Sequence, residues 1–183
     1  LGCAFGVELP LLAFWKRVGM RAVRLGLRVD PASATHSLFM LRAISARGQA
    51  LHDDAVRRFQ ADLPWALAAG FRDIDGHLAL ALLGGRQCAD LELSDRERRD
   101  LARIVSGARR PSTATALVWR CVVTLAAEAD APDDGLAALV AWQLQHCAVD
   151  VVCRRYAIGG RRALETLLRR YLEDRLIPSL GGG

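Results

Sequence analysis

The sequence lacks any run of about 18 apolar residues free of charge, which is the length that a membrane-spanning helix needs. The nearest stretch, residues 136–153, is interrupted by Gln143, Gln145, His146 and Asp150. The N-terminus also lacks a charged segment ahead of an apolar run, so no secretory signal is visible. These absences argue against a membrane span, and we predict a cytoplasmic location with no membrane partner.

Lysine is almost absent, since Lys16 is the only one among the 25 basic residues, and the net charge is +5. A genome rich in G and C explains such a preference for arginine. Phosphate recognition explains it as well, because a planar guanidinium can bond two oxygens at once. The net charge therefore permits a polyanionic partner without requiring one.

A disulfide framework is also missing, because the five cysteines are odd in number and irregularly spaced. They are Cys3, Cys88, Cys121, Cys147 and Cys153. This usage favours a reducing compartment. His146, Cys147 and Cys153 match no zinc pattern, since three ligands on one buried helix cannot close a tetrahedron. We therefore predict no metal site.

The sequence has no Walker motif and no G-x-G-x-x-G loop opening a helix. Its glycine–arginine sites are Gly84-Gly85-Arg86 and Gly159-Gly160-Arg161-Arg162, which suit plain turns or anion contacts. His146 and Asp150 stand four residues apart, but no serine nucleophile is near them. A surface hydrogen bond is expected there instead of a catalytic dyad, and no catalytic residue is assigned.

The first 45 residues predict a β-α-β-β order. Residues 1–6 form a short apolar run bounded by glycine, and residues 8–18 have helical spacing. Residues 21–29 and 36–44 read as two strands joined by a turn. Because the chain opens on Leu1 inside a predicted strand, we expect a piece of a longer protein.

After Ser45 the sequence has the composition and apolar spacing of helices. This change predicts the α+β class with a domain border near residue 46. Helices are predicted over residues 46–69, 74–83, 94–106, 113–128, 135–153 and 161–176. Ser94, with Glu97 three residues later, resembles a capping box at the start of the third of these helices. The first should end or kink before Pro64. The helix over 135–153 is apolar on almost every side and should be the buried centre.

Three arginine pairs recur at intervals of seven and eight residues: Arg154-Arg155, Arg161-Arg162 and Arg169-Arg170. Seven residues along a helix nearly restore the same direction, so the pairs could form a basic stripe. Tyr156 and Tyr171 lie among them and could stack on bases. The alternative is a solvated charged face, partly neutralised by Glu165, Glu173 and Asp174. The pattern leaves both interpretations open.

The segment from Phe5 to Met20 carries the pattern G-x(4)-L-x(2)-F-W-x-R-x-G, followed by Met20 where phenylalanine is usual. The matching residues are Gly6, Leu11, Phe14, Trp15, Arg17 and Gly19. This segment resembles the bacterial tRNA(Met) cytidine acetyltransferases. Further segments similar to this family follow at residues 21–26, 34–40 and 45–51, and shorter ones at residues 93–95 and 160–161. The resemblance is specific over residues 1–50 and thinner beyond.

The resemblance implies that residues 1–45 are the last β-α-β-β of a GNAT acetyltransferase domain and residues 46–183 a helical, tRNA-binding tail. The parent enzyme of this family carries an ATP-driven RNA helicase module ahead of both. It transfers acetyl from acetyl-CoA to N4 of the wobble cytidine of elongator tRNA(Met). The implied partners are this tRNA and the upstream helicase and GNAT segments of the same chain.

The resemblance also implies site residues. Arg17 falls on a position that contacts acetyl-CoA in the family, and the alternative for it is a surface arginine. The residues expected to bind tRNA come instead from the arginine repeat: Arg154, Arg155, Arg161, Arg162, Arg169 and Arg170. The GNAT pyrophosphate loop and the ATP site are not in this sequence, so we expect the chain alone to bind no ATP and to be inactive. Many GNAT enzymes place a tyrosine acid on the helix over residues 8–18, and none is present.

A second interpretation stays open, namely a non-catalytic helical module that binds nucleic acid or a protein. A Walker A motif and a GNAT glycine loop encoded upstream of Leu1 would exclude it.

Overall fold

The computed structural model describes residues 1–31, 34–85 and 91–180. The chain divides into two compact units, Leu1–Phe71 and Arg72–Gly183. The first unit contains a three-stranded antiparallel sheet, and the second is helical. The predicted α+β class is therefore confirmed. Arg86 and Cys88, singled out in the sequence, lie outside the described residues.

The first unit shows the predicted β-α-β-β order and adds a long helix. Its elements are β1 (Gly2–Gly6), α1 (Leu9–Arg17), β2 (Arg21–Val29), β3 (His36–Leu41) and α2 (Ala46–Gly70). The strand order is β1-β3-β2, so β3 lies in the centre and pairs antiparallel with both neighbours. The third strand ends at Leu41 and not at the predicted residue 44.

The sheet is covered on one face. Along β3, His36, Leu38 and Met40 are buried, whereas Ser37 and Phe39 are exposed. Successive side chains of a strand point to opposite faces, so this alternation separates a covered face from an open one. On the covered face, the ring of Phe71 contacts that of His36 at a centroid distance of 5.1 Å.

Helix α2 does not end before Pro64, which was one of the two outcomes predicted there. It continues to Gly70, and Leu63, Pro64 and Leu67 are all buried. A proline inside a helix removes one backbone hydrogen bond and destabilises the helix. Burial of the apolar side chains around Pro64 offsets this loss. The helix packs along β2, and the division between the units falls after Phe71. The domain border near residue 46 stays a prediction.

The second unit contains helices α3 to α8. They are α3 (Gly76–Leu83), α4 (Asp95–Val105), α5 (Thr115–Ala127), α6 (Asp134–Gln143), α7 (Val149–Arg155) and α8 (Arg161–Tyr171). The second unit also contains a 3-10 turn (Pro111–Thr113) before α5 and, after α8, a π-helical segment (Leu172–Leu176) and the short α9 (Ile177–Leu180). The helix predicted over residues 161–176 is thus α-helical only as far as Tyr171. Helix α4 begins with the predicted capping box, in which Ser94 and Glu97 bond each other's backbone N–H groups. Helices α5 and α6 form the core, and every residue from 136 to 141 is buried.

The single helix predicted over residues 135–153 is wrong, because the chain turns between α6 and α7. His146 has φ 54°, and the N–H of Cys147 bonds the carbonyl of Ala141. Gln145 is fully buried, and its amide donates to the carbonyl of Ile74 at 2.9 Å. Tertiary packing thus ends α6 where the apolar pattern continues. Within the described part of the chain, every helix is too short or too polar to cross a bilayer.

Candidate nucleic-acid interface

A groove of about 660 Å³ opens in the second unit, between the α4–α5 connection and α8. We call it the basic groove, and its lining residues are Gly107, Arg110, Ser112, Arg161, Arg162, Glu165, Thr166 and Arg169. Four of these side chains are guanidinium groups, and Glu165 is the one carboxylate among them. The groove is therefore positively charged and has hydroxyl groups within its wall.

Three guanidinium groups of the basic groove are available to a ligand. Arg110, Arg161 and Arg162 are exposed and make no side-chain hydrogen bond or ion pair with the residues that the structure describes. Glu165 instead pairs with Arg169, at 3.5 Å. Its charge is thereby matched within the protein, and the three remaining cations carry the net charge of the groove.

The start of α8 adds to this positive potential. Arg161 and Arg162 are its first two residues, Gly160 before them provides no side-chain cap, and no acid lies in the first turn. The N-terminus of a helix is the positive end of its dipole, where negative side chains are normally favoured. Two cations at this end raise the local energy of the unliganded protein. An anion in the groove would relieve that repulsion.

Arg109 holds the connection that carries Arg110. Its guanidinium donates to the hydroxyl and the carbonyl of Thr113 at 3.0 and 2.8 Å, and it also pairs with Asp100. The hydrogen bond from Arg109 lowers the pKa of Asp100, so this carboxylate stays charged. With its backbone held in this way, the loop presents Arg110 to the groove from the side opposite α8.

Arg169 has a structural position within the groove. Its Nε donates to the carbonyl of Ile104 at 3.1 Å, and its side chain is only 24% exposed. Ile104 lies in the last turn of α4, where carbonyl groups have no partner within the helix. Arg169 therefore ties α8 to the end of α4 and sets the width of the groove.

The three predicted arginine pairs do not all line this groove. The structure brings Arg161, Arg162 and Arg169 together there. Arg154 lies on α7 and pairs with Asp150 at 3.4 Å. Arg155 is exposed at the end of the same helix, and Arg170 is 5.9 Å from the ring centroid of Tyr171.

Sequence reasoning missed Arg110. The available signal was the pair Arg109-Arg110 directly before Pro111, between the helices predicted over residues 94–106 and 113–128. Nothing in that pattern indicates that the loop meets α8, which begins 50 residues later.

The expectation that Tyr171 stacks on bases is wrong. Its ring is buried, and its hydroxyl donates to Asp133. Burial and the neighbouring Asp133 carboxylate raise the pKa of Tyr171 to about 12. The hydroxyl of Tyr156 is also buried and lies against Gly76, where an added Cβ would overlap it. Both tyrosines serve packing within the second unit.

The histidine and cysteine predictions can be placed as well. His146 and Asp150 do not form the expected surface hydrogen bond, since the turn separates them and Asp150 accepts from Arg154. Burial raises the pKa of the Cys121 thiol to about 12, so that thiol is not a nucleophile at neutral pH. Among the described residues, no group of three His, Cys, Asp or Glu side chains could hold a metal ion.

Arg17 is the last residue of α1, in the first unit. Its side chain is exposed and contacts no partner among the described residues by hydrogen bond or ion pair. Gly19 follows with φ 81°, a conformation that glycine adopts without strain, and the N–H of Met20 bonds the carbonyl of Trp15. The spacing of the motif thus corresponds to a capped helix end that presents one guanidinium to solvent.

No family model matches the chain, but comparison with known proteins finds several similar proteins that carry the same name. The chain is 31% identical over 177 residues to the tRNA(Met) cytidine acetyltransferase TmcA of Nitrosococcus halophilus, covering 94% of this chain and 24% of that protein. It is 31% identical over 98 residues to the protein of the same name from Actinobacillus pleuropneumoniae, covering 54% and 15%. With the Haemophilus influenzae protein the identity is 38% over 64 residues, covering 35% and 10%. The chain thus spans about a quarter of the length of the first of these relatives.

Proposed function

We propose that this chain, whose resemblance to tRNA(Met) cytidine acetyltransferases extends over 94% of its length, is the C-terminal part of such an enzyme. Residues 1–45 would end the GNAT domain, and residues 46–183 would form the tRNA-binding tail. The parent enzyme would transfer acetyl from acetyl-CoA to N4 of the wobble cytidine of elongator tRNA(Met), with ATP hydrolysis in an upstream helicase module. The β-α-β-β order of the first unit supports this assignment.

The proposed chemistry is attack of the cytidine amine on the acetyl thioester, a direct transfer that depends chiefly on proximity and orientation. In this piece Arg17 would contribute to the acetyl-CoA site. An exposed guanidinium at a capped helix end can donate charge-assisted hydrogen bonds to a phosphate or carbonyl oxygen of the coenzyme. We assign no catalytic acid or base to this chain.

The basic groove carries the proposal of tRNA binding. Arg110, Arg161 and Arg162 have no side-chain partner in the part of the chain that the structure describes, and they line one concavity. A nucleic-acid backbone offers the matching row of phosphates. Arg169 would shape the groove. Arg154, Arg155 and Arg170 would add contacts outside it.

Salt-dependent RNA binding tests the proposal. Phosphate contacts release counterions, so the affinity of the chain for tRNA should fall steeply with salt. Replacing Arg161 and Arg162 by Ala should weaken binding and flatten the logarithmic salt slope by roughly one or two, about one per lost contact. Filter binding at several salt concentrations measures both quantities.

The pair Arg57 and Arg58 on α2 is a matched control. Their side chains are 74% and 76% exposed and both pair with Asp54, so the double Ala variant removes the same charge from another surface. It should leave the salt slope nearly unchanged. An equal effect of both double variants would mean that the groove has no special role. An unchanged slope with a lowered melting temperature for the groove variant would mean that Arg161 and Arg162 are structural.

The alternative function is a non-catalytic helical module that binds nucleic acid or a protein. One observation favours keeping it, because all residues of the basic groove belong to the second unit. Acetylation of tRNA by the longer parent chain, abolished when the GNAT glycine loop is replaced, would exclude this alternative.

A further inference from the structure

The open face of the sheet in the first unit carries an exposed aromatic ring. Phe39 is 40% exposed in the middle of the central strand, whereas its neighbours Leu38 and Met40 are fully buried on the other face. An aromatic residue at the centre of a sheet normally contributes to a core. Its exposure here raises the question of what covers it.

The surroundings of Phe39 form a shallow platform. It lies opposite Ala4 of β1 and Arg24 of β2. A Cβ on Gly2 would stand 3.3 Å from Cζ of the Phe39 ring, so the ring extends over the bare glycine of the edge strand. Leu41 flanks the ring on that side, since its Cδ2 would stand 2.9 Å from the same Cβ, and the exposed part of the Phe39 ring can accept a flat partner.

The charge on this platform is positive. Arg24, directly across from Phe39, is exposed and has no side-chain hydrogen bond or ion pair with the residues that the structure describes. Arg28 on the same strand is exposed in the same way. The sequences of the three strands contain no Asp or Glu. A protein segment laid over this face would bury unpaired guanidinium groups at high cost unless it brought acids.

We propose that the open face binds single-stranded RNA, with an unstacked base on Phe39 and adjacent phosphates on Arg24 and Arg28. Aromatic rings beside cations bind single strands in this way, because every base has a π-face and every linkage a phosphate. Duplex RNA keeps its bases stacked and cannot use the ring. The inference rests on the proposed function for its choice of RNA, and it assigns bases to the first unit while the basic groove takes backbone phosphates.

The test uses the 183-residue chain and an RNA hairpin that carries 2-aminopurine in its single-stranded loop. Stacking on Phe39 should quench the 2-aminopurine fluorescence at saturation. Phe39→Leu should abolish the quench and weaken hairpin binding about tenfold, with no change for a plain RNA duplex. Leucine still covers Gly2, so the melting temperature should change little. Phe39→Trp should restore both quench and affinity.

Two controls and a second variant separate stacking from other effects. Phe14→Leu alters another exposed phenylalanine of the first unit, on α1, and should keep the quench. Replacing Arg161 and Arg162 by Ala should lower the affinity but keep the quench at saturation. Arg24→Gln changes an exposed side chain without affecting the core, and it should reduce the salt slope by about one.

The outcomes are distinct. A chain that binds the hairpin without quenching, or with a quench that Phe39→Leu leaves intact, overturns the stacking assignment alone. Equal losses for hairpin and duplex in Phe39→Leu also overturn it. A chain that binds no RNA overturns the proposed function and this inference together.

Discussion

The two units of the chain differ in how much apolar side-chain surface they expose. Among the described residues, the large exposed apolar side chains all belong to the first unit except Ile177, and they include Leu27, Phe39, Ile44 and Trp65. In the second unit α5 and α6 are buried almost throughout. Large exposed apolar surface marks binding sites or contacts with other protein. The second unit is thus closed on its own core, whereas the first has surfaces suited to further contacts.

The largest expected effect concerns independent folding. A protein of residues 72–183 should unfold cooperatively in urea, because its core is complete within that range. A protein of residues 1–71 should aggregate or lack a cooperative transition, because it exposes apolar surface around a small sheet. Circular dichroism during urea titration measures both. A monomeric first unit with a sharp transition would remove the contrast between the units.

The next effect compares one leucine from each unit. Leu139→Ala, at a fully buried position of α6, should lower the free energy of unfolding by about 2–5 kcal/mol through lost burial and a cavity. Leu51→Ala, at a position 72% exposed on α2, should change it by no more than about 0.5 kcal/mol. Urea unfolding of the 183-residue chain is the measurement. Similar losses at the two positions would show that Leu51 is part of a core.

Arg17 tests the first unit as a coenzyme surface, and the test requires the longer parent enzyme. Arg17→Ala should raise the KM for acetyl-CoA and leave tRNA affinity nearly unchanged, since a charge-assisted hydrogen bond contributes about 1.5–3 kcal/mol. Steady-state kinetics and filter binding give the two quantities. Weakened tRNA binding with unaltered acetyl-CoA kinetics would instead place Arg17 on the RNA side.

The smallest effect is a pH dependence within the second unit. His77 lies between Asp134, at 2.8 Å from Nε2, and Asp75, at 3.2 Å from Nδ1. Burial lowers the pKa of His77, but hydrogen bonds and charges from the two carboxylates outweigh it, and the net pKa is raised above 6.5. The charged form therefore stabilises the fold. This contribution is complete below about pH 6.5 and is lost as the pH rises through the raised pKa.

Because Asp134 is 91% exposed, the contribution of His77 should be only about 0.2–1 kcal/mol. The free energy of unfolding of wild type should drop by this amount between about pH 6 and pH 8. His77→Gln should remove that part of the drop. A variant with the same pH profile as wild type would mean that another group is responsible.

Some features followed from short stretches of sequence. The apolar runs and glycine positions before Leu41 predicted the β-α-β-β order, and Ser94 with Glu97 predicted the start of α4. These features depend on contacts within a few residues, so their pattern is local. The same holds for Arg17, because the motif around it folds as one helix with its cap.

Other features depended on residues far apart in the sequence. Gln145 ends α6 through a bond to the carbonyl of Ile74, 71 residues away. Burial keeps α2 continuous through Pro64. Of three similar arginine pairs, packing placed Arg161-Arg162 in a groove with Arg110 and turned Arg169 toward Ile104. The sequence by itself determined the order of the first elements, most of the helices and the surplus of arginine. The tertiary structure decided which arginines meet in one groove without a partner among the described residues, because the partners of a side chain depend on the segments that pack beside it.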